Sequence, residues 1–279
     1  MELVARFHLM VAYAYVVKRH YFDNESLYIH RPKPELSLAE NFLQLIRPDQ
    51  KYTPEEARLL DLCLVCHAEH GGGNNSTFTC RAVSSTGTDS YSAIAAAVGS
   101  LKGPKHGGAN RQVLDQFEQI KANVKDWTDD GEVAAYVRRI LMRQAGDGSG
   151  LVYGMGHAVY TLSDPRAVIL KEAARTLAKQ RDMLDELELM EAVERVTPDL
   201  FAEVTGHEKA MCANVDMYSG LIYQMLNIPP ELFTPLFAIA RIPGWCAHRM
   251  EEILTGGRIY RPAYKPLIHH RDYIPMDQR

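Results

Sequence analysis

Apolar residues recur along most of the chain at intervals of three and four, the spacing that lines one side of an α-helix and lets that side be buried. Alternating runs of the kind that make half-buried strands are nearly absent. Ser37 followed by Glu40 is a capping box ahead of a helix running through Asn41 to Ile46. Thr53, Pro54 and Glu56 make a second box, with proline at the first helical position, ahead of Leu59 to Cys66. Gly71, Gly72 and Gly73 end that helix. The same spacing predicts helices over Ser90 to Leu101, Ala109 to Asn123, Asp130 to Gln144, Asp164 to Lys179 and Arg181 to Val204. Asn214 caps a helix over Asp216 to Leu226, and Thr234 to Thr255 closes the series before Gly256 and Gly257. The connections are short and no internal repeat of roughly 20 to 50 residues is evident. The fold class expected is all-α.

Composition narrows the function classes. A chain of 279 residues that is 46% hydrophobic can bury a full core as one large or two modest domains. Its net charge of -4 argues against nucleic acid or an anionic membrane as the main partner, because those surfaces need a concentrated excess of Lys and Arg. Val11 to Val17 is apolar, but Arg6, His8, Lys18 and Arg19 bracket it well within the ~20 residues that a membrane span needs. It also reads poorly as an export leader, so the five cysteines are expected as reduced thiols and the protein as cytoplasmic.

The candidate chemistry lies between the helices. His70 in HAEHGGGNNST, His106 in GPKHGGAN and His157 in YGMGHAVY all sit in glycine-rich turns, where a substrate can approach the backbone closely. Arg166, Arg241 and Arg261 each read singly as a solvated or helix-end charge, yet a dicarboxylic substrate needs several planar bidentate donors. Asp216 reads either as a first-turn acid favoured by the helix dipole or as a general base. Cys63, Cys66 and His67 spell the C-x-x-C-H pattern of haem attachment, and with His70 they could share a helical face as a zinc site. Their place in an apolar stripe favours buried thiols and no metal. The glycine runs match neither a phosphate loop nor a dinucleotide fingerprint.

Taken in order, HAEHGGGNNSTFT, GSLKGPKHGGAN, YGMGHAVYTLSDPRA, NVDMYSG, LFAIARIPGWCAH and RIYRPAY resemble the citrate and 2-methylcitrate synthase family, over most of the chain. The resemblance implies that His106, His157 and Asp216 are catalytic and that His70, Arg166, Arg241 and Arg261 hold oxaloacetate. It implies an acetyl- or propionyl-CoA co-substrate and no cofactor beyond that thioester. It also implies a homodimer in which the last arginine serves the neighbouring subunit's site. Leu151, Val152, Tyr153, Gly154 and Gly156 resemble the stretch that reads the adenine of CoA through its backbone. Many relatives carry a basic residue where this chain has Ala158 or Thr161, which leaves Lys102, Lys105 and Lys171 as candidates for the CoA phosphates.

The expected division is a large helical domain from 1–105 and 225–279, incomplete at its N-terminal side, and a small domain from 106–224. Family chains continue well upstream, so a second reading is a fragment that binds oxaloacetate, or pairs with a separate N-terminal piece, without turnover.

Overall fold

The computed structural model describes residues 1–156, 160, 162–206, 211–265, 267 and 271–279. The readings made of His157, Ala158 and Thr161 lie outside the described residues. Among those described, eleven α-helices and no strand are present, so the chain is all-α. No described helix is long and apolar enough to cross a membrane. The helices are α1 (Glu2–Asp23), α2 (Leu38–Ile46), α3 (Pro54–His67), α4 (Asn75–Ser84), α5 (Ser90–Leu101) and α6 (Ala109–Asn123). They continue with α7 (Asp130–Leu141), α8 (Pro165–Gln180), α9 (Leu184–Thr205), α10 (Asp216–Met225) and α11 (Phe233–Thr255).

Both capping boxes form as the spacing predicts. The Ser37 hydroxyl accepts from Glu40 N–H at 3.2 Å while the Glu40 carboxylate accepts from Ser37 N–H at 2.8 Å. Thr53 and Glu56 repeat the exchange at the start of α3. Two helices were not anticipated. The apolar Val11 to Val17 stretch lies inside the 22-residue α1, and α4 follows the glycine-rich turn. Neither has a side-chain N-cap, a feature that α6, α9, α10 and α11 also lack. Two expected ends move for a local reason. Arg143 at φ 61° follows the end of α7, and Asp182 at φ 54° separates α8 from α9, so the expected helix from Arg181 begins at Leu184 instead.

Two helices organise the packing. α11 contacts α1, α3, α4 and α5, while α10 contacts α3, α6, α8 and α9. Trp245, Phe42, Phe233, Tyr218 and Tyr223 are the largest fully buried aromatic side chains among the described residues. A charged clamp ties several helix ends together. The buried Glu56 accepts from Arg47 Nη1 at 2.9 Å and from Arg181 Nη2 at 2.6 Å, and Arg47 Nη2 donates to the Leu226 carbonyl at 2.7 Å. Burial works against the Glu56 charge, but the arginines and the Thr53 N–H outweigh it and hold the carboxyl below its ordinary range.

The seating of α11 against the end of α3 depends on Gly244. A Cβ there would stand 2.3 Å from the Ala68 carbonyl oxygen and 2.6 Å from Glu69 Oε2. The Ala68 backbone cannot step aside without moving the turn that carries His70. Gly244→Ala is therefore expected to cost about 2 kcal/mol through overpacking, read as a lower urea midpoint. An unchanged midpoint would show that the two helices do not need this close approach.

Candidate active site

The close approach at Gly244 sets Arg241, one turn earlier on α11, directly against the end of α3. Its Nε donates to the His67 carbonyl at 2.6 Å, and its guanidinium lies 4.8 Å from the Phe237 ring centroid. Arg241 is 1% exposed, and its Nη1 has no hydrogen-bond partner among the described residues. Burial pulls its guanidinium down to about 10, still charged at neutral pH. A buried cation with an unmet donor is costly by itself and is suited to an anionic ligand.

Asp216 opens α10. Its N–H donates to Asn214 Oδ1 at 3.0 Å, and Asn214 in turn is held by the loop before α8: its N–H reaches the Gly154 carbonyl at 2.9 Å and its amide reaches the Gly156 carbonyl at 3.1 Å. Gly154 has φ +86°, and a Cβ there would meet Met217 Sδ at 2.6 Å, so the loop lies flat on the first turn of α10. Burial raises the Asp216 carboxyl to about 6; Arg166 and Arg241 pull it down and Asp164 pushes it up. Of the two sequence readings, a simple first-turn acid would gain from the helix dipole and stay strongly acidic. This one is a carboxyl tuned toward neutrality beside two arginines, the character of a general base.

His106 lies in the turn between α5 and α6. The turn is pinned by Gly107, whose N–H donates to the Leu101 carbonyl at 2.9 Å and whose carbonyl accepts from Thr234 Oγ1 at 2.7 Å. His106 Nε2 is 2.9 Å from Ser76 Oγ, which also receives the Trp245 indole N–H at 3.3 Å and stands 2.9 Å from Asn74 Oδ1. A hydroxyl has one proton, so Ser76 donates either to Asn74 or to His106 Nε2. In the second arrangement the neutral ring keeps its own proton on Nδ1, as a donor toward a substrate. Burial first, and then Arg241, hold His106 below its ordinary value, so the ring is neutral at pH 7.

His70 follows α3, and Glu69 Oε1 accepts from its N–H at 2.9 Å, from Gly71 N–H at 2.5 Å and lies 3.0 Å from His248 Nε2. Arg166 occupies the first turn of α8, where its guanidinium is gripped by the buried Asp164. Arg261 is exposed beyond the end of α11 and makes no ion pair among the described residues.

The loop 151–156 adjoins Asp216, but its parts differ. Val152 is buried and Leu151 is 57% exposed. The Tyr153 N–H and carbonyl are both taken by the Gln116 side chain, at 3.0 and 3.3 Å, so that residue's backbone is already engaged. Lys171 is not a free phosphate ligand: its ammonium pairs with Glu194 at 2.8 Å and lies 5.6 Å from the Tyr218 ring centroid, while the Tyr218 hydroxyl also bonds Glu194. Cys63 and Cys66 face the core, where burial raises both thiols. His67 Nδ1 donates to the Cys63 carbonyl at 2.8 Å, and burial pulls the ring down to about 4. Ser76 and Asp164 went unread as site residues. The only local signal for Asp164 was its place two residues before Arg166 at a helix start.

The family profile described as citrate synthase, C-terminal domain, matches residues 1–263. A citrate synthase of Synechocystis is 38% identical over 279 residues, taking in 100% of this chain and 64% of that protein. One of Deinococcus radiodurans is 40% identical over 231 residues, 83% of this chain and 56% of that protein. Among solved structures, the ternary complex of carboxymethyl coenzyme A and oxaloacetate with citrate synthase from Thermoplasma acidophilum gives a TM-score of 0.80 at 29% identity, covering 100% of this chain and 68% of that one. The citrate synthase of Pyrobaculum aerophilum gives 0.76 at 34% identity, covering 99% of this chain and 63% of that one. The chain belongs to the citrate synthase family.

Proposed function

We propose that this chain condenses acetyl-CoA with oxaloacetate to give citrate and free CoA. The observation that carries this reading is Asp216, a half-buried carboxyl that desolvation raises to about 6 against the pull of Arg166 and Arg241. Such a carboxylate can take a proton from the methyl carbon of the thioester, provided that the thioester oxygen is stabilised as charge develops on it. Neutral His106 would supply that hydrogen bond.

The resulting enol attacks the ketone carbon of oxaloacetate, whose two carboxylates suit Arg166, Arg241 and the His70 turn. The ketone oxygen then needs a proton, a role the motif gives to His157. Water finally cleaves the thioester, releasing the thiol of CoA. Binding oxaloacetate first would complete the charge balance of the site and exclude water before the thioester is exposed to it. The loop 151–156 would receive the CoA, and the segment 106–224 would be the unit that closes over it. A homodimer would let the exposed Arg261 of one chain reach the site of the other.

The test is thiol release by the purified chain from acetyl-CoA and, separately, propionyl-CoA. Release that requires oxaloacetate is the expected outcome, and the ratio of the two rates ranks the substrates, which differ by one methylene worth only ~1–3 kcal/mol. A second reading is a chain that binds oxaloacetate without turnover. Saturable oxaloacetate binding with no thiol release would select it.

A further inference from the structure

From Ile253 to Lys265 every residue is exposed except Tyr260. Its hydroxyl accepts from Arg81 Nη2 at 2.7 Å and donates to Glu252 Oε2 at 2.5 Å. Its N–H donates at 3.0 Å to Ser85 Oγ, whose own proton goes to the Ala82 carbonyl. Its ring stacks on Phe78, with centroids 6.3 Å apart and planes 24° apart, and the Arg81 guanidinium lies 5.4 Å from its centroid. α4 and its C-cap thus hold this one residue by ring, hydroxyl and backbone together, while Glu252, itself 8% exposed, holds it from α11. A chain leaving a helix over the surface needs none of these ties, because water satisfies its backbone.

The next residue is Arg261, and Pro262 follows it. A proline restricts the residue before it to extended backbone, because the ring clashes with the helical arrangement. Arg261 is therefore fixed on one side by the anchored Tyr260 and on the other by Pro262, which leaves mainly its side chain to move. The guanidinium of Arg81 makes a further tie, donating through Nη1 to the Gly72 carbonyl at 3.2 Å. Gly72 lies in the turn that carries His70, and a Cβ there would stand 2.8 Å from Arg81 Nη1. One side chain thus sets the Arg261 segment against the His70 turn of its own chain.

We propose that Tyr260 is a positioning residue for oxaloacetate, anchoring the segment of Arg261 to α4 and α11 so that its guanidinium is presented in order to the partner subunit's site. The inference rests on the synthase reading, and on the homodimer within it, and deepens both. An arginine on a free arm would lose its backbone freedom only when the ligand arrives, and affinity would fall by that cost. The anchor removes the freedom beforehand. Glu252, by accepting the phenol proton, raises the Tyr260 phenol above its ordinary value, so the hydroxyl keeps both of its bonds at neutral pH.

The test is a double-variant cycle on the full chain: Tyr260→Phe, Arg261→Ala and the two together. Oxaloacetate affinity is read by titration calorimetry and, where turnover is present, KM and kcat are read alongside. Phenylalanine keeps the stack on Phe78 and the Ser85 bond and loses only the hydroxyl bridge. Tyr260→Phe is expected to bind oxaloacetate ~10-fold more weakly, the cost of ordering about one residue of backbone on binding, with KM raised more than kcat is lowered. In the Arg261→Ala background the same change should have no further effect, because nothing is left to position. Glu252→Gln, which weakens the bridge from the α11 side, should behave as Tyr260→Phe does. A merely structural tyrosine would weaken binding equally in both backgrounds or move only the urea midpoint. Either result overturns the assignment, as does unchanged affinity in Tyr260→Phe, and each leaves the synthase reading intact. Unchanged affinity in Arg261→Ala would instead remove Arg261 from the oxaloacetate site and the anchor's role with it. A wild-type chain that binds oxaloacetate without releasing thiol would defeat the synthase reading, and the affinity cycle would still decide on Tyr260.

Discussion

Asp216→Asn is expected to lower oxaloacetate-dependent thiol release by ~10³-fold and, at pH 8, to make the protein more stable than the wild type. The first effect follows because an amide cannot accept the methyl proton. The second follows from burial. The carboxyl has an ordinary value of 3.8 and is raised to about 6 in the folded chain. Between those two values the folded state holds a proton that the unfolded state has released. Wild-type stability therefore falls as pH rises through that window, by on the order of 3 kcal/mol once both are crossed. Asparagine never bears the charge and is exempt from the loss. Urea unfolding of both proteins at pH 8 and below pH 4 checks this: the gain should be present at the higher pH and vanish at the lower. A variant less stable at pH 8 would show that Asp216 is not held as a costly carboxylate.

Arg241→Met is the second large effect, and it too should separate binding from stability. Removing a buried, ligand-gripping charge is expected to weaken oxaloacetate binding by about 2–5 kcal/mol, which is roughly 30- to 5,000-fold. The unliganded fold should lose little. Arg241 is 1% exposed with Nη1 unpartnered, so methionine of similar length removes a desolvated charge and keeps contact with Phe237. Calorimetric titration with oxaloacetate and urea unfolding without it read the two effects separately. A large drop in unliganded stability would mean that Arg241 is mainly a structural tie between α11 and the His67 carbonyl.

Both predictions describe one design. The site holds a desolvated carboxyl and an under-partnered cation at a cost to stability, an arrangement that suits the proposed dianionic substrate and acidic C–H. That is the pattern expected where function opposes stability. Loops pinned from two sides, such as the His106 turn between Leu101 and Thr234, hold those groups in place.

The helices were legible from sequence wherever a local signal marked them. Ser37 and Glu40, or Thr53 and Glu56, satisfy orphan backbone groups within four residues, so α2 and α3 start where the spacing places them. The motifs likewise singled out His70, His106, Arg166, Asp216 and Arg241; the structure brings Arg166 and Arg241 within electrostatic reach of Asp216, and Arg241 within reach of His106. α1 and α4 have no side-chain cap; α6, α9, α10 and α11 have none either, and those were legible from apolar spacing alone.

What only the tertiary structure decided is which of those groups are charged, paired or spent. Lys171 is consumed by Glu194, 23 residues away, and the Tyr153 backbone by Gln116, 37 residues away. Asp164, a helix-start residue in the sequence, becomes a fork on Arg166, and Cys63-x-x-Cys66-His67 becomes core. Asp216 moves from an ordinary acid to a carboxyl near neutrality because desolvation, with the charge of Asp164, outweighs the pull of Arg166 and Arg241. Periodicity and capping act between neighbours in the chain and can be read there. Desolvation and charge pairing depend on which distant segments close around a group, and they exist only once the helices have packed.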